Sequence, residues 1–186
     1  MKIERNGQAE PLTKQEFTKV IKHLKGKYRL IFALCWYTTE RPGAILQLRV
    51  GDVYEDAVRR KALRTLVIPG RKRKDKRTRE VPCSKELGAE LRLYKTPGEG
   101  WLFPCERQAG HTNYRTYYNI LRRVFDELGM SGYSPYSTRR GALTHLLQQG
   151  MSTRRIQEMS GHVSLASLQP YLESSEQERR KTAELL

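Results

Sequence analysis

Disulfide chemistry has little to work with in this chain. Its three cysteines, Cys35, Cys83 and Cys105, are odd in number and widely spaced, so they build no disulfide framework and spell no CxxC zinc site. They read as reduced and structural. Long apolar runs are equally scarce: the longest, Leu30 to Tyr37, stops after eight residues, where a membrane helix needs about 20. The start, Met1-Lys2-Ile3-Glu4-Arg5-Asn6, turns polar at once and lacks the apolar stretch of a secretory signal. A cytoplasmic or nucleoid-associated protein with no membrane partner is therefore expected. No repeat, low-complexity tract or Pro/Gly/Ser linker divides the 186 residues, so one domain is expected.

Negative charge is the third scarcity. Twenty Asp and Glu face 35 Lys and Arg, a net charge of +15, in a chain that is 38% hydrophobic and 30% charged. That composition is too apolar for wholesale disorder and suits a folded domain. The excess is also uneven. Residues 59–79 carry eleven basic side chains (Arg59, Arg60, Lys61, Arg64, Arg71, Lys72, Arg73, Lys74, Lys76, Arg77, Arg79) against one acid, Asp75. A solvated face mixes its signs; a run of one sign points to phosphate backbones, whose neutralisation releases counterions.

Thr13-Lys14-Gln15-Glu16 spells a capping box, and Phe17, Val20, Ile21 and Leu24 follow at helical spacing as far as Gly26. Leu30 to Tyr37 predicts a buried helix. Thr38 to Gly43 breaks it, and Pro42 opens a short helix through Leu48, which places Arg41 at a helix amino terminus. Val53, Val67, Ile68 and Val81 flank the basic stretch and predict one small antiparallel sheet with basic residues on its hairpin. Helices are predicted from Ser84 to Tyr94, Tyr114 to Leu128, Ser137 to Gly150, and Ser152 to Met159, and Trp101-Leu102-Phe103 is an anchor between them. The predicted fold is a mainly helical α+β domain with a small antiparallel sheet and β-hairpin.

The carboxyl-terminal third carries Tyr136, Arg139, Arg140, His145, His162 and Tyr171. Any one alone is more often a packed or surface residue than a catalyst. Their order is more telling: Arg139-Arg140-Gly141-Ala142-Leu143-Thr144-His145-Leu146-Leu147, then Gly150, Ile156-Gln157, Gly161-His162, and Tyr171 nine residues further on. This run closely resembles the signature of the tyrosine recombinase (phage integrase) family, roughly R-H-T-F-A-T-H-L-L, a glycine, I-Q, L-G-H and a nucleophilic Tyr. Thr39-Glu40-Arg41 resembles the family's first arginine motif, usually T-G-x-R-x-x-E, and Lys74, Arg79 and Val81-Pro82 resemble its K-x-x-x-x-R-x-V-P hairpin. Resemblance covers residues 11–172 or so, leaving 173–186 as a tail. The family's separate amino-terminal domain, which clasps the other side of DNA, has no counterpart in these 186 residues, as in an excised catalytic domain or in single-domain members such as the fimbrial inversion recombinases.

The resemblance implies that Tyr171 attacks a DNA phosphodiester to give a 3′-phosphotyrosyl link and a free 5′-hydroxyl. Arg41 and Arg139 would grip the non-bridging oxygens with paired planar donors, and His162 would bond the same phosphoryl group. Lys74 would protonate the leaving oxygen, with Lys72 and Lys76 as alternatives that the spacing favours less. Arg71, Lys72, Arg73, Lys76, Arg77, Arg79 and Arg140 are expected to contact DNA. No cofactor and no metal are implied. Tyr136 stands where the family usually has His; a phenol donates to phosphate but accepts a proton poorly at neutral pH. Ala44 stands where an acid usually follows Arg41, which removes a partner for that arginine. Pro170 directly precedes the nucleophile and constrains its backbone.

Double-stranded DNA is the expected partner, engaged by a homotetramer, with a monomer in free solution. Two rival readings remain open on residues alone. Leu146 to Ser152 with Ile156 and the stretch from Val163 resembles a helix-turn-helix, as in a non-catalytic regulator, and the charge alone also suits RNA. The tail from Glu176 to Leu186 is expected to pack on a neighbouring subunit or on its own core. The enzyme reading requires that Arg41, Lys74, Arg139, His162 and Tyr171 line one cradle.

Overall fold

Capping chemistry starts the first helix where the sequence places it. The Thr13 hydroxyl accepts the Glu16 amide at 3.1 Å while the Glu16 carboxylate takes the Thr13 amide at 2.8 Å, which satisfies two end donors reciprocally. The computed structural model describes residues 9–70, 76–169 and 184. Helix α1 is Lys14–His23 and α2 is Gly26–Tyr37. Gly26, expected to close α1, opens α2 at φ +52 instead, a conformation that only glycine takes without strain.

Helix α2 is buried on every side from Leu30 to Trp36 and forms the axis of the core. Phe17 of α1 stacks on Phe32 and Trp36, with ring centroids 5.3 and 4.4 Å apart. The remaining helices are α3 (Pro42–Ile45), α4 (Lys85–Leu93), α5 (Tyr114–Glu127), α6 (Tyr136–Gln148), α7 (Thr153–Ser160) and α8 (Leu165–Leu168). Leu87 and Leu91 of α4, Tyr117, Leu121 and Phe125 of α5 and Ala142 of α6 complete the main core. A small second cluster joins Leu143, Ile156 and Leu168. Leu102 and Phe103 are fully buried, as the anchor reading requires. Helix α3 is shorter than predicted: Gln47 and Leu48 donate to the third residue back, in tighter turns than an α-helix.

Two separate antiparallel ribbons replace the single sheet expected. Strand β1 (Tyr54–Asp56) pairs with β2 (Lys61–Ala62), and β3 (Thr65–Ile68) pairs with β4 (Arg79–Pro82). The second ribbon joins Thr65 to Pro82 at one end and Ile68 to Arg79 at the other. The described residues of the basic stretch are thereby split. Arg59 and Arg60 occupy the β1–β2 turn, while Lys76 and Arg77 lead into β4. No helix among the described residues is long and apolar enough to cross a membrane.

Candidate functional site

Helix ends have carbonyls with no partner inside the helix and carry partial negative charge, so buried cations settle there. Two such ends meet in this fold. Beyond α2 the chain runs Thr38-Thr39-Glu40-Arg41; α7 ends at Ser160, followed by Gly161 and His162. The Thr38 hydroxyl donates to Leu34 O at 2.6 Å and accepts the Glu40 amide at 3.2 Å, which turns the chain inward. Thr39 takes a left-handed φ of +54, rare for a β-branched residue. Its hydroxyl holds that conformation by donating to Thr38 O, 2.6 Å away, and to Met159 O, 3.2 Å away.

Arg139, projecting from α6, is fully buried between these ends. It donates to Thr39 O, to Ser160 O at 3.3 Å and to His162 Nε2 at 3.0 Å. His162, 8% exposed, also sets Nδ1 2.6 Å from the Ser160 hydroxyl, which itself donates to Gln157 O. A neutral imidazole protonated on Nδ1 satisfies every one of these contacts. Glu40, 1% exposed, lies beside them. Its Oε1 accepts the Arg41 amide at 2.8 Å and is 3.6 Å from Arg139 Nη1; its Oε2 pairs with Arg79 Nη1 at 3.2 Å.

Arg79, expected above to contact DNA, is carried by β4. It is buried, and donates to Glu40, to Thr38 O and to Ser160 O. The pleat explains this: Arg79 is two residues from the buried Val81, so both point to the inner face of β4, where the Glu40 carboxylate attracts the guanidinium. Arg79 and Arg139 therefore converge on one carbonyl. Like charges so placed repel, and the Glu40 carboxylate beside both offsets that repulsion together with the carbonyl they share.

The other expected positions fall as follows. Arg41 is the half-buried residue preceding α3, tied through its amide to Glu40. Tyr136 opens α6, one turn before Arg139, and is 43% exposed. Close by, Tyr114 has its phenol pushed up to about 12, mainly by burial and then by its neighbours Tyr136 and Tyr118. Arg140 is half-buried, and Lys76 and Arg77 are exposed. Lys74, Tyr171, Arg71, Lys72 and Arg73, together with the tail from Glu176, lie outside the described residues except for Glu184. Cys35 is buried, and its thiol is pushed up by burial first and by the Glu40 charge second. An open cleft of about 410 Å³ lies over His162, lined by Arg77, Arg79, Arg154, Gln157 and Gly161 and by Glu158, whose carboxylate is 3.4 Å from Arg154 Nε. Its cationic rim and the imidazole suit an anion of phosphate size.

Sequence reasoning brought Arg41, Arg139 and His162 to the same neighbourhood but missed Glu40, Ser160 and Arg154. An acid between two threonines and Arg-Pro looks like surface, and nothing local marks Ser160. Only the period-two pattern Arg79-Glu80-Val81 held a usable signal, because it puts Arg79 on the face of Val81.

The pattern of the phage integrase family matches residues 10–178. Tyrosine recombinase XerD of Brucella suis biovar 1 (strain 1330) is 30% identical over 128 residues, covering 63% of this chain and 40% of that protein. Tyrosine recombinase XerA of Thermococcus kodakarensis is 28% identical over 181 residues, covering 93% of this chain and 61% of that protein. The chain thus spans about two-fifths to three-fifths of the length of these relatives. Among solved structures, a XerA recombinase crystal structure superposes with a TM-score of 0.72 at 23% identity, covering 95% of this chain and 63% of that one. XerH recombinase bound to a palindromic difH substrate, in a post-cleavage complex, gives 0.72 at 20% identity, covering 96% and 54%. With the family pattern spanning most of its length and the fold shared with these recombinases, the chain belongs to the phage integrase family.

Proposed function

We propose that this chain is the catalytic part of a site-specific DNA recombinase, which breaks and rejoins duplex DNA through a 3′-phosphotyrosine. One observation carries the reading: Arg139, His162, Glu40 and the backbone of Arg41, separated by up to 122 positions, meet within hydrogen-bond or ion-pair distance beside a cationic cleft. The named relatives are tyrosine recombinases, and XerH was captured on its DNA.

In the proposed reaction the Tyr171 phenol attacks the scissile phosphorus. Its proton passes to water as the Oη–P bond forms and the P–O5′ bond breaks, and Lys74 protonates the departing 5′ oxygen. Charge grows on the non-bridging oxygens, where Arg41 and Arg139 act as donors, with His162 held against Arg139 through Nε2. The covalent link preserves the phosphodiester's energy, so rejoining needs no nucleotide. Exposed Lys76, Arg77 and Arg154 would track the backbone. On DNA the working unit would be a homotetramer, since exchange joins two duplexes with two cleavages each.

A regulator using α6 and α7 as a helix-turn-helix would leave the buried Glu40–Arg79–Arg139 cluster without a use. The test is a nicked suicide duplex carrying a cognate site. A denaturant-resistant protein–DNA adduct is expected, abolished in Tyr171→Phe and slowed on the order of 100-fold or more in Arg139→Lys. Absence of any adduct with the unaltered protein overturns the reading.

A further inference from the structure

We infer that Glu40 is the positioning residue for both phosphate-gripping arginines, so that this site keeps its supporting carboxylate one residue before Arg41. The inference rests on the recombinase reading and deepens it. The position three residues after Arg41 belongs to Ala44, a buried methyl with no polar function. Glu40 supplies what is missing there, through a different geometry.

A single carboxylate, 1% exposed, reaches three groups. Oε1 takes the Arg41 amide at 2.8 Å and so fixes where that arginine leaves the chain; the same oxygen is 3.6 Å from Arg139 Nη1. Oε2 holds Arg79 Nη1, 3.2 Å away. Arg79 and Arg139 both donate to the Ser160 carbonyl, at 2.9 and 3.3 Å, so two like charges are packed together. Remove the anion between them and they repel, which disturbs the placement of Arg139 against His162 Nε2, 3.0 Å away. The local chain is shaped to present this carboxylate. The Thr38 hydroxyl accepts the Glu40 amide, and the left-handed turn at Thr39 directs residue 40 inward.

Glu40 touches no reacting atom, so it acts through the arginines, on the chemical step more than on DNA binding. Glu40→Gln keeps the shape and removes the charge. Adduct formation at saturating suicide duplex should slow about 10- to 100-fold, while duplex affinity stays within about threefold. The decisive readout is a duplex whose scissile phosphate carries a methyl in place of one non-bridging oxygen. That phosphate has no charge to grip, so the deficit of Glu40→Gln should shrink to within about threefold of the unaltered protein on it. Equal deficits on both duplexes, or no deficit on the ordinary one, overturn the inference. If Glu40→Gln does not fold by circular dichroism, Glu40→Asp, which keeps the charge but withdraws it by one methylene, carries the same comparison and the same outcomes. No adduct with the unaltered protein would sink the recombinase reading itself; an adduct that Glu40→Gln forms equally fast sinks only this inference.

Discussion

A guanidinium at position 79 meets a buried carboxylate, whereas the one at position 77 stands exposed at the mouth of the cleft. The same side-chain type therefore does two kinds of work two residues apart. Replacing Arg79 by Gln removes half of a buried pair and should lower unfolding stability by about 3 kcal/mol, read by urea denaturation. The slope of log affinity against log salt for duplex DNA should change little, because the Arg79 charge is already paired with Glu40. Arg77→Gln should do the reverse, reducing that slope by about one unit with stability intact. A slope change in Arg79→Gln equal to that in Arg77→Gln would show that the buried pairing does not persist on DNA. Ser160 invites a finer test at this scale. Its hydroxyl fixes one face of the His162 ring at 2.6 Å, so Ser160→Ala should cost about 1 kcal/mol of orientation, roughly fivefold to tenfold in cleavage rate. An unchanged rate would mean that Arg139 alone orients the imidazole.

Among the elements, α6 carries Arg139, and its register sets where that side chain points. Leu12 N donates to Ser137 O at 3.2 Å, and Glu10 N to Gly132 O at 3.1 Å, which lays the strand-like lead-in of α1 along the helix. Gly141 makes that approach possible: a Cβ there would overlap the Leu12 carbonyl and come within 2.7 Å of its amide nitrogen. Gly141→Ala should therefore lose at least about 2 kcal/mol in denaturant unfolding, despite alanine's better helix propensity. A stabilised variant would refute the close contact. On the other side of α1, the Tyr133 hydroxyl donates to Glu16 at 2.6 Å. Burial alone would raise the Glu16 carboxyl, but hydrogen bonds from Tyr133 and Thr13 outweigh it and hold it below its ordinary 4.5. A lowered folded value means that this contribution is complete above pH 4.5 and fades as pH falls through the folded value. Tyr133→Phe should thus lose about 1 kcal/mol at neutral pH, with the gap to the unaltered protein closing only in acid. A gap independent of pH would assign the loss to packing. Most of these elements could be read from the sequence, since capping residues such as Thr13, Ser84 and Ser152 and apolar spacing act locally. Two ribbons in place of one sheet could not be read, because strand pairing is decided by partners remote in sequence.

Over the whole molecule, the legible part of the site was the part whose spacing is one-dimensional. Arg41, Arg139 and His162 follow from motif intervals, but the contacts of Glu40 arise only when residues 40, 79 and 139 meet in a buried volume that no local pattern encodes. Charge behaves the same way. Within the basic stretch read from 59 to 79, the described residues 59–64 and 76–79 lie at opposite ends of the β3–β4 ribbon, with Arg64 and Cys83 at the end away from Arg79. Arg59, Arg60, Lys61, Arg64, Lys85 and Arg92 gather there around an open cavity of about 700 Å³. Four strand residues separate the two ends, about 13 Å, which exceeds the Debye length of about 10 Å at 0.1 M salt. If the recombinase reading holds, charges at that end would attract a duplex from a distance more than they would stabilise the transition state. Neutralising exposed Arg64 and Lys85 together with Gln should slow association at low salt by about two- to fivefold, with the difference vanishing at high salt, as stopped-flow binding would report. The adduct-forming rate at saturating duplex should stay the same. If that rate falls instead, the far end of the ribbon belongs to the reacting site, and the division of the basic stretch into a steering half and a reacting half is wrong.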